Sequence, residues 1–339
     1  MPRRIPDRAP NQADVARLAG VSTQTVSRVM SGQQHVRSET ERRVRAAVDE
    51  LGYRVHGAAA SLASGRTRVL GVIVVSTTQY SSSAIGVGIE TVAAERGYTV
   101  TTAAVSNHST AAAFAAAFDR LERQGAEGIV LVAPVDFEDP GMVARMRRTP
   151  TVQIERGVGE DESAAQEQTL VARLATTHLL DLGHATVWHV SGDDDWLESR
   201  RRRESWAATL QERGILPPPV IPGDWTPESG YRAGRTLAAI PEVTAVFVSS
   251  DEMAFGVIRA LHEAGRNVPD RVSVVSVDDI PLAAYASPAL TTVRQPFVER
   301  GRSAALRVIG LIEGADLGVA HDVAPTLVVR ASTARPPVR

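Results

Sequence analysis

Residues 11–32 read Asn11-Gln-Ala-Asp-Val-Ala-Arg-Leu-Ala-Gly-Val-Ser-Thr-Gln-Thr-Val-Ser-Arg-Val-Met-Ser-Gly32. The stretch divides at Ala19-Gly20-Val21 into two short amphipathic helices. The first, about Gln12 to Ala19, has Val15, Ala16 and Leu18 for one apolar face, and Gly20 supplies the positive φ that ends it. Ser22 suits the N-cap of the second helix, in which Val26, Val29 and Met30 turn inward while Thr23, Gln24, Thr25, Ser27 and Arg28 stay outside. Hydroxyl, amide and guanidinium groups on the N-terminal face of a short helix suit the DNA major groove. Gln, Thr and Arg read base edges or phosphates there. The pattern is that of a helix-turn-helix.

An ordinary surface hairpin of two helices fits the same pattern, and three further features weigh against it. Ser38-Glu-Thr-Glu41 reads as a capping box that opens a third helix. That helix runs through Val44, Ala47, Val48 and Leu51 and stops at Gly52, so it has the apolar positions to close a three-helix unit. Residues 1–64 hold ten Arg against six Asp and Glu, whereas the whole chain carries a net charge of −2. A basic element at the head of a mildly acidic body is what a phosphate-seeking segment requires.

Asp14-Val-Ala-Arg-Leu-Ala-Gly-Val-Ser22, followed by Thr25-Val-Ser-Arg-Val29, resembles the signature of the lac repressor (LacI/GalR) family. The similarity continues through Glu39-Thr40, Leu51-Gly-Tyr53 and Ser61-Leu62 and covers nearly all 339 residues. It implies a transcription regulator that binds a palindromic operator in double-stranded DNA as a dimer. A small molecule in the C-terminal domain then makes it grip or release. With the exposed face above, the resemblance implies a DNA-contacting set of Ser22, Thr23, Gln24, Thr25, Ser27, Arg28, His35 and Leu62. Leu62 is the apolar wedge that enters the minor groove and kinks the duplex. The Ala-rich segment His56-Gly-Ala-Ala-Ala-Ser-Leu-Ala63 is too short to be a stable helix alone. It is expected to be a hinge helix that folds on DNA and couples operator binding to the body, with a plain linker as the alternative. Val55, His56 and Ala60 depart from the Pro, Asn and Arg usual in the family.

No stretch reaches the roughly 18 apolar residues of a membrane span, and the first residues, Met-Pro-Arg-Arg-Ile-Pro, are not followed by an apolar signal segment. No membrane partner is expected, and the chain is placed in the cytoplasm, at the nucleoid. The absence of cysteine excludes disulfides, thiolate metal sites and thiol catalysis. All 37 basic residues apart from histidine are Arg, which removes any Schiff-base or P-loop lysine.

From Val69 the texture changes. Val69-Leu-Gly-Val-Ile-Val-Val75 is a β-branched run suited to a strand buried on both faces of a parallel sheet. Strands are expected there and at Thr99–Val105, Gly128–Val132, Val187–Val190, Ala245–Val248 and Val272–Val277. Helices are expected between them at Ile85–Arg96, Ala111–Gln124, Thr169–Leu182, Arg200–Arg213, Glu228–Ala239 and Glu252–Ala264. Two blocks of βα units imply two doubly wound subdomains, with a ligand at the strand carboxyl ends in the cleft between them. The expected fold class is thus α + α/β. A helix-turn-helix three-helix domain (9–54) and a hinge helix (55–67) precede a two-subdomain doubly wound α/β body (68–339) resembling periplasmic sugar-binding proteins. Subdomain 1 comprises about 68–166 and 294–325, and subdomain 2 about 167–293 and 326–339.

An α/β enzyme is the rival class, and its marks are missing. Gly86-x-Gly88 lacks the third glycine of a dinucleotide loop, and neither a P-loop nor a Gly-x-Ser-x-Gly elbow occurs. Asp193-Asp-Asp195 reads as a solvated turn, and His178 and His184 carry no partner pattern. No catalytic residue, metal or cofactor is expected. A sugar-binding transport receptor would share the body but not the helix-turn-helix.

A carbohydrate effector needs aromatics to stack on its rings and Asp, Asn or Arg to hydrogen-bond its vicinal hydroxyls. The resemblance implicates Arg202, four residues before the aromatic of Ser199-Arg-Arg-Arg-Arg-Glu-Ser-Trp206. It further implicates Trp225 within Gly223-Asp-Trp-Thr-Pro-Glu-Ser-Gly-Tyr231, Ser250 after a strand, Phe297 as an apolar floor, and Tyr80 where the family commonly has Asn. Asp278 ends the last strand and either accepts ligand hydroxyls or caps the next segment. The effector expected is a mono- or disaccharide that releases a repressor of carbohydrate genes; a purine or other metabolite acting as corepressor is the alternative. The tail from Leu327 has no leucine heptads, so a homodimer is expected and a coiled-coil tetramer is not.

Overall fold

A computed structural model describes residues 10–30, 36–53, 65–75, 79–106, 110–133, 139–154, 162–318 and 323–337. They form two units that divide between Arg68 and Val69. The first unit holds α1 (Gln12–Ala19), α2 (Thr23–Met30) and α3 (Ser38–Leu51). Asn11 and Asp14 close α1 reciprocally: the Asp14 N–H donates to Asn11 Oδ1 at 3.1 Å and the Asn11 N–H to Asp14 Oδ2 at 3.0 Å. The capping box therefore stands at Asn11 and not at Ser38. Arg37, in extended conformation, is the N-cap of α3 without a side-chain bond, because the helix starts one residue sooner than expected. Glu41 is thereby turned forward, onto Arg45 at 2.7 Å. Gly20 and Gly52 end α1 and α3 with φ of 64° and 62°.

Val15, Ala16, Ala19, Val26, Val29, Val44 and Ala47 make the core of this unit. Three of these seven are alanines, each of which buries little apolar surface, and Leu18, Val21, Val36, Val48, Leu51 and Tyr53 pack partly buried around them. Met30, expected inside, is exposed. It is the last residue of α2, and the helix ends before that side chain is covered.

The second unit contains two sheets. The first is fully parallel, in the order β2 (Thr99–Val105), β1 (Val69–Val75), β3 (Ala126–Val132), β4 (Thr151–Ile154). The second runs β5 (Trp188–Val190), β6 (Ala245–Val248), β7 (Ser273–Asp278), β8 (Thr291–Arg294), β9 (Thr326–Val328), with β9 antiparallel at the edge. Strand alternation in β1 sends Leu70 and Val72 into one core and Ile73 and Val75 into another. The first core lies among Ile85 and Ile89 of α4 (Tyr80–Glu95) and Val308 of α11 (Phe297–Glu313). The second contains Phe114, Phe118 and Leu121 of α5 (Ala111–Arg123). Helices on both faces are what a wholly apolar parallel strand demands. The remaining helices are α6 (Pro140–Arg148), α7 (Glu162–Asp181), α8 (Leu197–Glu212), α9 (Pro227–Ala238) and α10 (Asp251–Glu263), with a 3-10 turn at Pro281–Tyr285. The chain changes sheets along α7, returns along α11 and crosses again to β9.

Gly86-x-Gly88 finds its use in this packing. A Cβ on Gly88 would lie 2.1 Å from the carbonyl oxygen of Val298, and one on Gly301 2.1 Å from that of Ile85. The two glycines let α4 and α11 cross backbone to backbone. Since main chain cannot yield as a flexible side chain can, Gly301→Ala should destabilise the body by about 2 kcal/mol or more. Urea unfolding of the purified variant checks this.

Several elements depart from the expected spans. Helix α4 starts at Tyr80 and α7 at Glu162, five and seven residues earlier than expected, because polar first turns show no apolar period. Strands β4, β8 and β9, with sequences TVQI, TTVR and TLV, mix polar with apolar residues, so no apolar run marks them as AVFV marks β6. Helix α11 buries Phe297, Gly301, Ala304, Ala305, Val308 and Ile309 in one stripe. Gly301 and Gly310 hide that stripe from a reading that treats glycine as a breaker.

Candidate functional site

On the first unit, the polar face of α2 is the candidate nucleic-acid surface. Thr23, Gln24, Ser27 and Arg28 are exposed. At 100° per residue they share one side of the helix. Ser22 and Thr25 are used differently: Ser22 Oγ accepts the Thr25 N–H at 3.1 Å and lies 2.9 Å from Thr25 Oγ1, so these hydroxyls satisfy the helix start and each other. Gln12 Nε2 donates to the carbonyl of Thr23 at 2.9 Å and pins the beginning of α1 to that of α2. No acidic residue occupies the first turn of α2, which leaves the positive end of the helix dipole available to a phosphate. His35, Leu62 and the atypical hinge positions Val55, His56 and Ala60 lie outside the described residues.

On the second unit, the carboxyl ends of both sheets open on a cleft. The first sheet and α4 contribute Val75, Val132, Gln79, Ser81, Ser82 and Ile85; the second sheet and its helices contribute Trp196, Glu198, Arg202, Trp225, Ser250, Glu252, Asp278 and Gln295, and Phe297 opens α11 between them. Five of the six expected effector residues thus meet here. The sixth, Tyr80, does not line the cleft although its neighbours do. As the first residue of α4 it packs edge-on against Phe297, with centroids 6.2 Å apart and planes at 73°.

Within the Arg run only Arg202 is buried. Its Nε donates to Gln168 Oε1 at 2.8 Å and its Nη1 to the carbonyl of Ser249 at 2.6 Å. Gln168 Nε2 donates to Gln295 Oε1 at 3.0 Å, and Gln295 Nε2 to Asp278 Oδ1 at 2.7 Å. Arg300 also donates to Gln295 Oε1, at 3.1 Å. Two amides from distant parts of the chain therefore fix the Arg202 guanidinium and the Asp278 carboxyl group at the cleft. A rigid pair of this kind costs little to organise on binding.

Asp278 and Asp279 have φ of 114° and 57°, a left-handed kink at the end of β7. Asp tolerates this better than most residues, and the kink is clamped. Asp279 accepts from Arg294 and from Arg330, both at 2.6 Å. Asp278 then turns its carboxyl toward Gln295 and caps nothing. Ser250 is the N-cap of α10, accepting the Met253 N–H at 3.2 Å, with its own proton left for a neighbour. Asp251 faces the interior, where Ser276, Thr292 and the Ile280 N–H donate to it. Burial pushes its pKa up to about 7 against the pull of these donors.

Trp225 also has a left-handed φ, of 71°. Its ring occupies space that a Cβ on Gly192 would fill, the nearest ring atom being 2.1 Å from that point. It sits 5.6 Å from Trp196 at 56°, and the Arg202 guanidinium lies 5.7 Å from its centroid. Trp225 Nε1 is buried without a hydrogen-bond partner.

Burial pushes the Asp278 carboxyl up to about 8; Arg202 opposes the shift, and Glu252 and Asp251 add to it. The folded chain thus holds a proton there that the unfolded chain gives up near pH 4. Stability from this group is complete below about pH 4 and is lost as pH rises toward 8. Melting temperatures of wild type and Asp278→Asn across that range should diverge, with the wild type falling more steeply.

Trp196, Glu198, Glu252, Gln168 and Gln295 are functional candidates that the sequence reading missed. Gln295 follows β8, so the rule of strand carboxyl ends would have found it had that strand been legible. Glu252 stands one residue beyond the start of α10, and only the fold brings Gln168 near.

Residues 13–55 match the bacterial regulatory proteins of the lacI family, and residues 176–333 match a periplasmic binding protein-like domain. The Ribose operon repressor of Escherichia coli (strain K12) is 32% identical over 298 residues, covering 86% of this chain and 89% of the relative. A crystal structure of the lac repressor dimer bound to operator and the anti-inducer ONPF superposes with a TM-score of 0.82 at 28% identity, covering 96% of this chain and 100% of the other. A transcriptional regulator CelR–cellobiose complex gives 0.68 at 28% identity, covering 95% and 99%. From its helix-turn-helix to its two-sheet body, the chain belongs to the lacI family of bacterial transcriptional regulators, a family of repressors and not of enzymes.

Proposed function

We propose that the chain is a homodimeric repressor of carbohydrate genes that holds a palindromic operator and releases it when a mono- or disaccharide fills the cleft. The observation that carries this reading is the Arg202–Gln168–Gln295–Asp278 relay beside Trp225. It presents a cation and a carboxyl group to vicinal hydroxyls and an indole to a sugar face. The cellobiose-bound and operator-bound relatives support it. Thr23, Gln24, Ser27 and Arg28 read the operator in this account. Leu62 and His35 keep the roles that the family resemblance implies, and action on chromosomal DNA places the protein in the cytoplasm. Among the described residues no helix is long and apolar enough to cross a membrane.

A flat purine is the less suited ligand. Trp196 and Trp225 touch each other at 56°, so they do not form a parallel slot that a base could enter. A thermal-shift screen against mono- and disaccharides, followed by operator binding with and without each hit, tests the proposal. At least one sugar should raise the melting temperature and weaken operator binding. Stabilisation by purines alone, or tighter DNA binding with the hit, would overturn release by sugar.

A further inference from the structure

Building on the sugar reading, we propose that the effector carries a positively charged amino group, so that the cleft is made for an amino sugar and not a neutral one. Among the described lining residues are three carboxylates, Glu198, Glu252 and Asp278, and one guanidinium, Arg202. Arg202 already spends two donors on Gln168 and Ser249. The nearby cations are committed as well: Arg294 and Arg330 to Asp279, and Arg300 to Glu167. Glu252, in the first turn of α10, has no hydrogen bond or ion pair among the described residues, and its charge is among those that hold the proton on Asp278.

A neutral sugar leaves Glu252 without a counter-charge and Asp278 protonated inside a partly desolvated cleft. An ammonium pairs with Glu252 and, by drawing the proton off Asp278, with that carboxylate as well. The aromatic lining of Trp196, Trp225 and Phe297 adds ring faces that hold a cation.

An independent observation points to the rest of the ligand. Trp225, 8% exposed, lines the cleft with its Nε1–H unpartnered. A buried donor of this kind calls for an acceptor, which a hydroxyl or ring oxygen provides. An ammonium together with oxygen acceptors on one small ring describes an amino sugar. A polyamine lacks the oxygens, and a sugar phosphate would set its dianion against the three carboxylates.

Matched pairs test this on the full-length protein at neutral pH: glucosamine against glucose, galactosamine against galactose, mannosamine against mannose, with the uncharged N-acetyl forms as controls. Calorimetric affinities should favour the free amine in at least one pair by about tenfold or more, the worth of a charge-assisted hydrogen bond. N-acetylation should remove that preference. Glu252→Gln should bring the amine-to-neutral ratio toward one, with its unliganded melting temperature reporting that it folds. A neutral sugar that binds as tightly as its amine in every pair that binds, or a ratio that survives Glu252→Gln, overturns the inference and leaves the sugar reading standing. No binding by any member of any pair overturns both.

Discussion

Replacing Gln24 and Arg28 together by Ala should abolish operator binding while sugar-induced thermal stabilisation persists. Both side chains stand on the outer face of α2, away from Val26 and Val29, so the three-helix core is untouched. A base contact from such a residue is worth about 1–3 kcal/mol. In a dimer each substitution strikes both half-sites, so the double variant should lose on the order of a thousandfold or more in affinity. Anisotropy titrations on a duplex selected from a random library by the wild-type protein measure this at fixed salt, since phosphate contacts make affinity depend steeply on ionic strength. Unchanged DNA binding would sink the assignment of α2 as the reading helix.

Asp278→Ala should do the converse: sugar no longer releases the operator, and DNA is still bound. Removing the carboxyl group deletes one end of the relay and leaves Gln295 Nε2 without its acceptor. Hydrogen bonds between neutral groups are worth roughly 0.5–1.5 kcal/mol each, so loss of the contacts to a pair of hydroxyls should weaken sugar binding on the order of tenfold or more. Trp225→Phe provides a milder step, since it keeps an aromatic face while losing the unpartnered Nε1–H and the second ring of the indole. Its affinity should fall between wild type and Asp278→Ala in calorimetric titration. A variant at position 278 that responds normally to sugar would remove the relay from the binding account.

The two ends of the protein were not equally legible. In the helix-turn-helix every determinant is local: Val15 and Ala19, Val26 and Val29, and Val44 and Ala47 stand at helical spacing within their own helices, Gly20 and Gly52 stop their helices, and Ser22 caps α2. Misjudgements there concern single positions, such as Met30 at an uncovered helix end and the capping box, which sits at Asn11 and Asp14. The cleft is a different case. Arg202, Trp225, Ser250, Asp278 and Phe297 were nameable through motif resemblance and the rule of strand ends. Their partners were not, because Gln168 and Gln295 are 127 residues apart and each is an unremarkable Gln until the fold joins them.

From the sequence alone one can determine a three-helix DNA-reading element ahead of an α/β body, because helix periodicity, caps and β-branched runs act over a few residues. Only the tertiary structure decided what the cleft presents. Crossings of α4 and α11 at Gly88 and Gly301 bring Phe297 to the cleft, and the double Arg clamp on Asp279 turns Asp278 inward. The Gln168–Gln295 bridge sets the Arg202 guanidinium in line with that carboxylate, and the start of α10 adds Glu252 beside it. Each of these depends on groups from distant parts of the chain meeting at hydrogen-bonding or van der Waals distance, and no local pattern records such a meeting.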